Sequence, residues 1–329
     1  MIEGKTVLVT GATGFLGGAT VRRLAEGGTQ VRALARSPEK SASLQRIPHV
    51  TVVFGDLTQP DSLRAAVEGC DVVIHTAVGY GSREEQQAVN VEGTRNIALA
   101  AANALVERFV HVSSMAVYGY ALDHDATEYT PMVPRSHDPY AETKANAERA
   151  LQKVSGDTGL VYSVIRPGMI YGPGSAMWTE RLFRLARLRP MPFVGDGRGR
   201  AHPVYVDDVI DMMVVLAQHA AARNEAFNCT PDPAPSWRDW LRLYQQLNGR
   251  ESWLGAPPWL LQPVANLIGL LAPAGRAIKE VPHALRLMQS RVTYRMDKPR
   301  NMLGWRPQVA LADGVQRCAP WLRERGLLA

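Results

Sequence analysis

Tyr140-Ala141-Glu142-Thr143-Lys144 sets a phenol and an ammonium four residues apart, which on a helix is one face. A cation beside a phenol stabilises the phenolate and lowers the tyrosine from about 10 toward working pH. Such a tyrosine can pass a proton to or from a substrate oxygen while hydride moves at the adjacent carbon. Ser114, just beyond the apolar run Phe109–Ser113, is the third candidate, with a hydroxyl to orient the same oxygen. The spacing by itself does not discriminate. Tyr294-Arg295-Met296-Asp297-Lys298 repeats it, but in a segment broken by Pro299 and with no Ser-Ser strand end upstream, so that pair is read as structural.

Hydride chemistry needs a carrier, and the chain offers a place for one. Gly11-Ala12-Thr13-Gly14-Phe15-Leu16-Gly17 stands between the first apolar strand and the first helix. Glycines there permit a tight turn and close approach to a pyrophosphate, and the helix start offers free N–H groups to the anion. A glycine triplet alone is weak evidence; its place in a strand–turn–helix context carries the reading. The second strand ends in Ala35-Arg36-Ser37, and no acid occurs from Gly27 to Pro38. Arg36, with Ser37 as a hydrogen-bond donor, suits a 2′-phosphate, so NADP(H) is expected in preference to NAD(H). Asp56, in Gly55-Asp56-Leu57, is placed to accept from the adenine amino group or to cap the next helix.

The elements that must position these groups follow from periodicity. Strands are predicted at Thr6–Thr10, Val31–Ala35, Val50–Phe54, Val72–Thr76, Phe109–Ser113 and Tyr162–Arg166. Helices are predicted from the glycine turn to about Glu26, over Asp61–Glu68 and Glu84–Ala104, and from about Tyr140. Continuously apolar strands alternating with helices predict an α/β fold, a Rossmann-like doubly wound parallel sheet. After residue 167 Gly and Pro become frequent and connections lengthen. The expected division is a dinucleotide-binding domain over 1–167, rejoined by about 204–229. A smaller, mostly α substrate-binding portion is expected over 168–203 and 230–329.

With these residues in view, the chain resembles the extended short-chain dehydrogenase/reductase superfamily, in its epimerase/dehydratase and 3β-hydroxysteroid-dehydrogenase-like branch. The resemblance runs through Thr10–Gly17, Gly55-Asp56-Leu57, Val73-Ile74-His75, Asn90-Val91-Glu92-Gly93-Thr94, Val112-Ser113-Ser114, Val117-Tyr118-Gly119, Tyr140/Lys144, Arg166-Pro167-Gly168 and Tyr205-Val206-Asp207-Asp208. It implies that Tyr140 is the acid/base, that Lys144 also holds the nicotinamide ribose, and that Ser114 orients the substrate. It further implies cofactor contacts at Leu57, Thr76, Ala77, Val112, Pro167, Gly168 and Met169, and substrate contacts at Gly79, Tyr80 and Met115. Members often dimerise through two helices, here Glu84–Ala104 and Tyr140–Val154, so a homodimer is expected.

Departures from the family pattern narrow the reaction. Sugar-nucleotide dehydratases carry an Asp-Glu pair where this chain has Met115-Ala116, which argues against dehydration. Met169 replaces an asparagine that touches the nucleotide, and Ala201-His202-Pro203 replaces Arg-Asp-Phe, with Arg200 one residue out of step. The expected substrate is therefore a hydrophobic, steroid-like or 3-oxoacyl secondary alcohol or ketone. A nucleotide-sugar epimerase using the same Tyr140 is the alternative. A non-catalytic dinucleotide sensor is a second, which the intact Ser/Tyr/Lys set opposes.

Composition agrees with an enzyme of this kind. The 329 residues are 46% hydrophobic and 21% charged, as in ordinary globular proteins. The +6 formal charge and pI near 9.3 favour anionic partners such as a phosphate-bearing cofactor. The arginines are scattered, without interleaved aromatics, so nucleic acid is not expected. Cys70, Cys229 and Cys318 lie far apart and are odd in number, which fits a reducing compartment and no disulfide framework. Asp123-His124-Asp125 is read as a solvated loop, and no metal is expected. The N-terminus leads straight into a strand, so no leader peptide is expected, and no run is long enough to span a bilayer. The expectation is a cytoplasmic enzyme. The apolar segment 257–273 could cover the substrate pocket, touch a membrane surface peripherally, or pack on the C-terminal portion.

Overall fold

A computed structural model describes the chain except for residues 1, 3, 120–123, 135–137, 250, 258, 262, 264–265 and 268–280. Seven strands form one sheet: β1 (Thr6–Thr10), β2 (Gln30–Ala35), β3 (Val50–Phe54), β4 (Val72–His75), β5 (Arg108–Val112), β6 (Tyr162–Pro167) and β10 (Glu225–Cys229). Their order is β10-β6-β5-β4-β1-β2-β3, and every pair is parallel. This is a Rossmann-like doubly wound sheet.

Its two faces are read off alternate residues. Val7, Val9, Val31, Ile74 and Val110 join one apolar cluster, together with the helices Phe15–Glu26 and Val206–Gln218. Leu8, Leu34, Val73, Phe109 and Val164 join another, with Ile97, Ala101, Leu151 and Val154. A fully buried side chain such as Leu8 contributes about 1.5–3 kcal/mol, so a shift of register by one residue would be costly on both faces.

Two small parallel pairs lie outside the main sheet. β7 (Met169–Tyr171) pairs with β9 (Pro203–Tyr205), and β8 (Met191–Val194) pairs with β11 (Trp253–Ala256). Within the stretch 204–229 expected to rejoin the first domain, the strand at Pro203–Tyr205 belongs to a small pair; the following helix and β10 return to the main sheet. Helices Val281–Gln289, Asp297–Leu303, Leu311–Arg317 and Ala319–Glu324 make the C-terminal portion mostly α. Most of the apolar segment 257–273 lies outside the described residues. Among the described residues no helix is long and apolar enough to cross a membrane.

The helix that carries Tyr140 runs from Pro139 to Thr158. Asp138 caps it by accepting from the Ala141 N–H at 3.1 Å, and Pro139 presets its first turn. Gly159, with φ of 78°, ends it and donates to the Ser155 carbonyl.

Candidate active site

The candidate residues converge at the C-terminal ends of β1, β4, β5 and β6. In such sheets this crevice, where the strand order reverses between β1 and β4, is where ligands bind. Gly11, just after β1, has φ of +65°, and a Cβ there would lie 2.8 Å from the Ala77 backbone. A Cβ on Gly17 would strike the Gly11 carbonyl and approach Thr76 Oγ1 to 2.7 Å. The glycines therefore let the turn, the helix start and the end of β4 pack in one place. Thr76 Oγ1 donates to the Thr10 carbonyl, and the Ala77 N–H donates to Thr10 Oγ1. The helix Phe15–Glu26 has no capping side chain at Gly14 and no acid in its first turn. Its first N–H groups are open to an anion, and Thr13 and Gly14 beside them are exposed. This cradle fits a dinucleotide pyrophosphate.

Other sequence-predicted cofactor residues are already partly engaged. One carboxylate oxygen of Asp56 accepts from both the N–H and the hydroxyl of Thr58 at 2.8 Å, a turn role beside any adenine contact. Leu57 is buried. The N–H groups of Gly168 and Met169 donate to the carbonyls of Cys229 and His202 at 3.0 and 2.7 Å.

Ser114 follows β5, and the Met115–Tyr118 turn after it starts with the Ala116 N–H donating to Ser114 Oγ at 3.1 Å. The Ser114 side chain lies near the Tyr140 phenol and acts to lower it. Lys144 sits one turn further along the helix, buried, with Nζ donating to the Val112 carbonyl at 2.8 Å. Burial lowers its ammonium from 10.5 to about 8, partly opposed by the Glu148 carboxylate. The phenol moves the other way from the expectation. Loss of hydration raises it, Tyr80 raises it further, and the Ser114 hydroxyl only partly opposes them. In the chain alone the nearby ammonium does not offset desolvation.

The role of Asn90 in the site was not assigned from sequence. Asn90 clamps Gly79 from both sides: Gly79 N–H donates to Oδ1 at 2.7 Å, and Nδ2 donates to the Gly79 carbonyl at 3.2 Å. The same Nδ2 donates to Thr143 Oγ1, so the Gly79-Tyr80 loop is tied to the Tyr140 helix. Asn90 reaches there because the predicted Glu84–Ala104 helix widens to π-type turns over Gln87–Glu92. Tyr80 is 74% exposed and stacks on the Tyr140 ring, with centroids 5.7 Å apart and planes at 16°. Met115, by contrast, packs inward with Tyr118 and Ala145. The Tyr294/Lys298 pair is spent elsewhere: Tyr294 packs on His202 and Tyr118, and Lys298 bonds Glu225 at 2.7 Å.

Comparison with known proteins gives a coherent picture. The family model described as "NAD dependent epimerase/dehydratase family" matches residues 7–230. A 2-alkyl-3-oxoalkanoate reductase of Stenotrophomonas maltophilia is 30% identical over 332 residues, covering 94% of this chain and 97% of its own. A 3beta-hydroxysteroid-dehydrogenase/decarboxylase of Arabidopsis thaliana is 29% identical over 83% of this chain, which spans 66% of that protein's length. Among solved structures, gox2253 superposes with a TM-score of 0.81 at 27% identity, covering 99% of this chain and 100% of its own. MoeE5 with UDP-glucuronic acid and NAD gives 0.75 at 28% identity, over 97% and 99%. The dTDP-glucose 4,6-dehydratase DesIV of Streptomyces venezuelae, with NAD and TYD, gives 0.74 at 26% identity, over 98% of each chain.

The expected preference for NADP(H) does not stand. MoeE5, DesIV and further solved relatives hold NAD. The local chemistry explains why the arginine misled. Arg36 is an exposed residue at the end of β2, and Arg32 is spent on the carbonyls of Ala66 and Glu68. The acid missing from Gly27–Pro38 stands one residue further on. The Glu39 carboxyl is held below its usual range by its own backbone N–H and then by the Ser37 side chain. A carboxylate so close to Ser37 in sequence opposes a 2′-phosphate there.

Proposed function

Given that the chain belongs to the NAD dependent epimerase/dehydratase family and is an enzyme of the extended short-chain dehydrogenase/reductase type, we propose that it interconverts a secondary alcohol and a ketone with NAD(H), using Tyr140, Lys144 and Ser114. The observation that carries this reading is the buried Lys144 ammonium fastened to the Val112 carbonyl one turn from Tyr140, at the strand end that leads to Ser114. When bound, the dinucleotide supplies the hydride donor or acceptor and, oxidised, a positive ring. The turn Gly11–Gly17 would hold its pyrophosphate, with Asp56 and Leu57 toward the adenine. Thr76, Ala77, Val112 and the Pro167–Met169 backbone would line the nicotinamide half.

On this reading Tyr140 takes the hydroxyl proton as the C–H bond of the alcohol gives up hydride, and returns it in the reverse direction. Ser114 holds the same oxygen, and Lys144 holds the nicotinamide ribose while its charge favours the phenolate. Tyr80 and Gly79 form the wall nearest the reacting carbon. Because the chain leaves the phenol raised, the positive nicotinamide ring is the further charge that ionisation requires.

Of the substrate classes, a nucleotide sugar has the stronger support from solved structures: MoeE5 holds UDP-glucose or UDP-glucuronic acid together with NAD. Tyr140 would then take the proton of a sugar hydroxyl as hydride passes to bound NAD, and return a proton when that hydride comes back to the opposite face of the resulting ketone. An apolar ketone is the second reading, favoured by particular side chains. Met169 and Ala201 are buried and apolar, and Arg200 donates to the Ala234 carbonyl at 2.8 Å rather than standing free for a diphosphate. Parallel assays of UDP-hexose epimerisation and of NADH oxidation with ketosteroids and 3-oxoacyl compounds decide between them. Tyr140→Phe should abolish turnover with NADH binding retained; undiminished activity would refute the mechanism.

A further inference from the structure

Beneath the site lies a buried ion pair that the mechanism has not used. Arg166 grips Glu148 with both prongs, Nη2 to Oε2 at 2.6 Å and Nε to Oε1 at 3.0 Å, and the two side chains are 5% and 0% exposed. Ser113 Oγ donates to the same carboxylate. Arg166 Nη1 donates to Tyr118 Oη at 2.8 Å and to the Glu128 carbonyl at 3.2 Å. Tyr118 in turn donates to Asn228 on β10 at 2.7 Å. A buried pair of this kind adds little net stability over apolar residues of the same volume, because both ions must be dehydrated. Its position offers a better reason for it. Glu148 lies one turn beyond Lys144, Ser113 adjoins Ser114, and Arg166 adjoins Pro167-Gly168.

We infer that Glu148 is a positioning residue that locks the Tyr140–Lys144 helix onto the strand ends carrying Ser114 and Pro167, and is the buried counter-charge of the Lys144 ammonium. This rests on the roles proposed above for Tyr140 and Lys144. The groups facing Lys144 from each packed element support it. β5 presents the Val112 carbonyl and His111, β4 presents His75, and β6 presents Arg166 across the carboxylate. Burial holds both imidazoles neutral, His75 down at about 3 and His111 well below its ordinary value. Glu148 is the anion that raises Lys144 against desolvation. Arg166, tied into four hydrogen bonds with oxygen acceptors, saturates the carboxylate and keeps it aimed along the helix.

The sign follows from Lys144. Ribose binding and phenolate stabilisation require the cation, so both fade as pH rises through about 8. Removing the carboxylate lowers the ammonium further, and the alkaline midpoint should move down by about one pH unit. The test follows two readouts against pH: kcat/KM, and the Kd for NADH from fluorescence quenching. Glu148→Gln should shift both midpoints downward, and Glu148→Asp should restore them. Because Glu148→Gln leaves Arg166 buried and unpaired, the neutral double variant Glu148→Gln/Arg166→Gln carries the test if the single one does not fold. A uniform loss of rate with unmoved midpoints in these variants would overturn the inference. Tyr140→Phe separates the two claims: if it is inactive and the Glu148 variants keep the wild-type midpoint, only the role of Glu148 fails.

Discussion

Replacing Lys144 with methionine should make the protein inactive and change how its stability depends on pH. Methionine keeps an unbranched chain of similar volume and removes the charge. In the folded chain burial brings the ammonium from 10.5 to about 8. Below that pH the fold holds a proton less tightly than the unfolded chain does, a cost of about 3 kcal/mol by linkage. Between the folded and unfolded values the unfolded chain binds more protons, so wild-type stability gains as pH rises. From about pH 7.5 to about pH 9.5 that gain is about 2 kcal/mol. The variant lacks it. Against the removed cost stands the lost charge-assisted bond to the Val112 carbonyl, ~1.5–3 kcal/mol, so near neutrality the two proteins should differ little. Urea unfolding of both proteins across this range reads the difference directly, because every other titrating group cancels. Parallel curves, with a constant difference between the two, would refute the assignment of Lys144 as a buried cation held at a cost.

Three further perturbations test the surrounding architecture. Gly17→Ala drives a methyl into the Gly11 carbonyl and to 2.7 Å from Thr76 Oγ1. It should cost about 1–3 kcal/mol of stability and weaken NADH binding; a urea midpoint and fluorescence Kd matching wild type would count against the packed turn. Tyr80→Ala should raise KM for substrate more than Kd for NADH, while Tyr80→Phe preserves the stacked face; equal effects from both would mean the ring does not shape the pocket. Arg36→Ala should change KM for NADH by less than about twofold, since NAD carries no 2′-phosphate for it to bind. A tenfold rise, on the order of 1.4 kcal/mol, would restore Arg36 as a cofactor ligand.

What could be read from residue order alone was whatever depends on local pattern. Six strands of the main sheet fall within a residue or two of their predicted runs; β10, Glu225-Ala226-Phe227-Asn228-Cys229, is too mixed in polarity to be picked out and was missed. Asp138-Pro139 and Gly159 punctuate the Tyr140 helix, and Lys144 on it reaches the end of the strand that leads to Ser114. The features that escaped depend on crossings and on environment. A periodic pattern over 84–104 cannot reveal the widened turns that aim Asn90 at Gly79. The Arg166–Glu148 pair joins a strand end to a helix that precedes it, and nothing in either segment alone announces the other. Arg36 looked like a phosphate ligand because its charge is legible, while the lowering of the Glu39 carboxyl beside Ser37 is a matter of local folding.

The direction of the Tyr140 shift shows why such omissions bear on mechanism. Residue types at the right spacing argue for a lowered phenol, since a cation lies one turn away. Placing both groups out of water reverses the balance: desolvation opposes the charged form of each, raising the phenol and lowering the ammonium together. A site so built is poorly ionised in the chain by itself and needs further charge from two directions. Glu148 supplies one by keeping Lys144 cationic. The oxidised nicotinamide supplies the other by favouring the phenolate. The site's proton chemistry thus becomes conditional on the cofactor being present. Titration of Tyr140 by its ultraviolet phenolate absorbance, with Tyr140→Phe as the subtraction, should therefore show a midpoint near or above that of free tyrosine without NAD, and a lower one with it. A midpoint unmoved by NAD would place the compensating charge elsewhere in the chain.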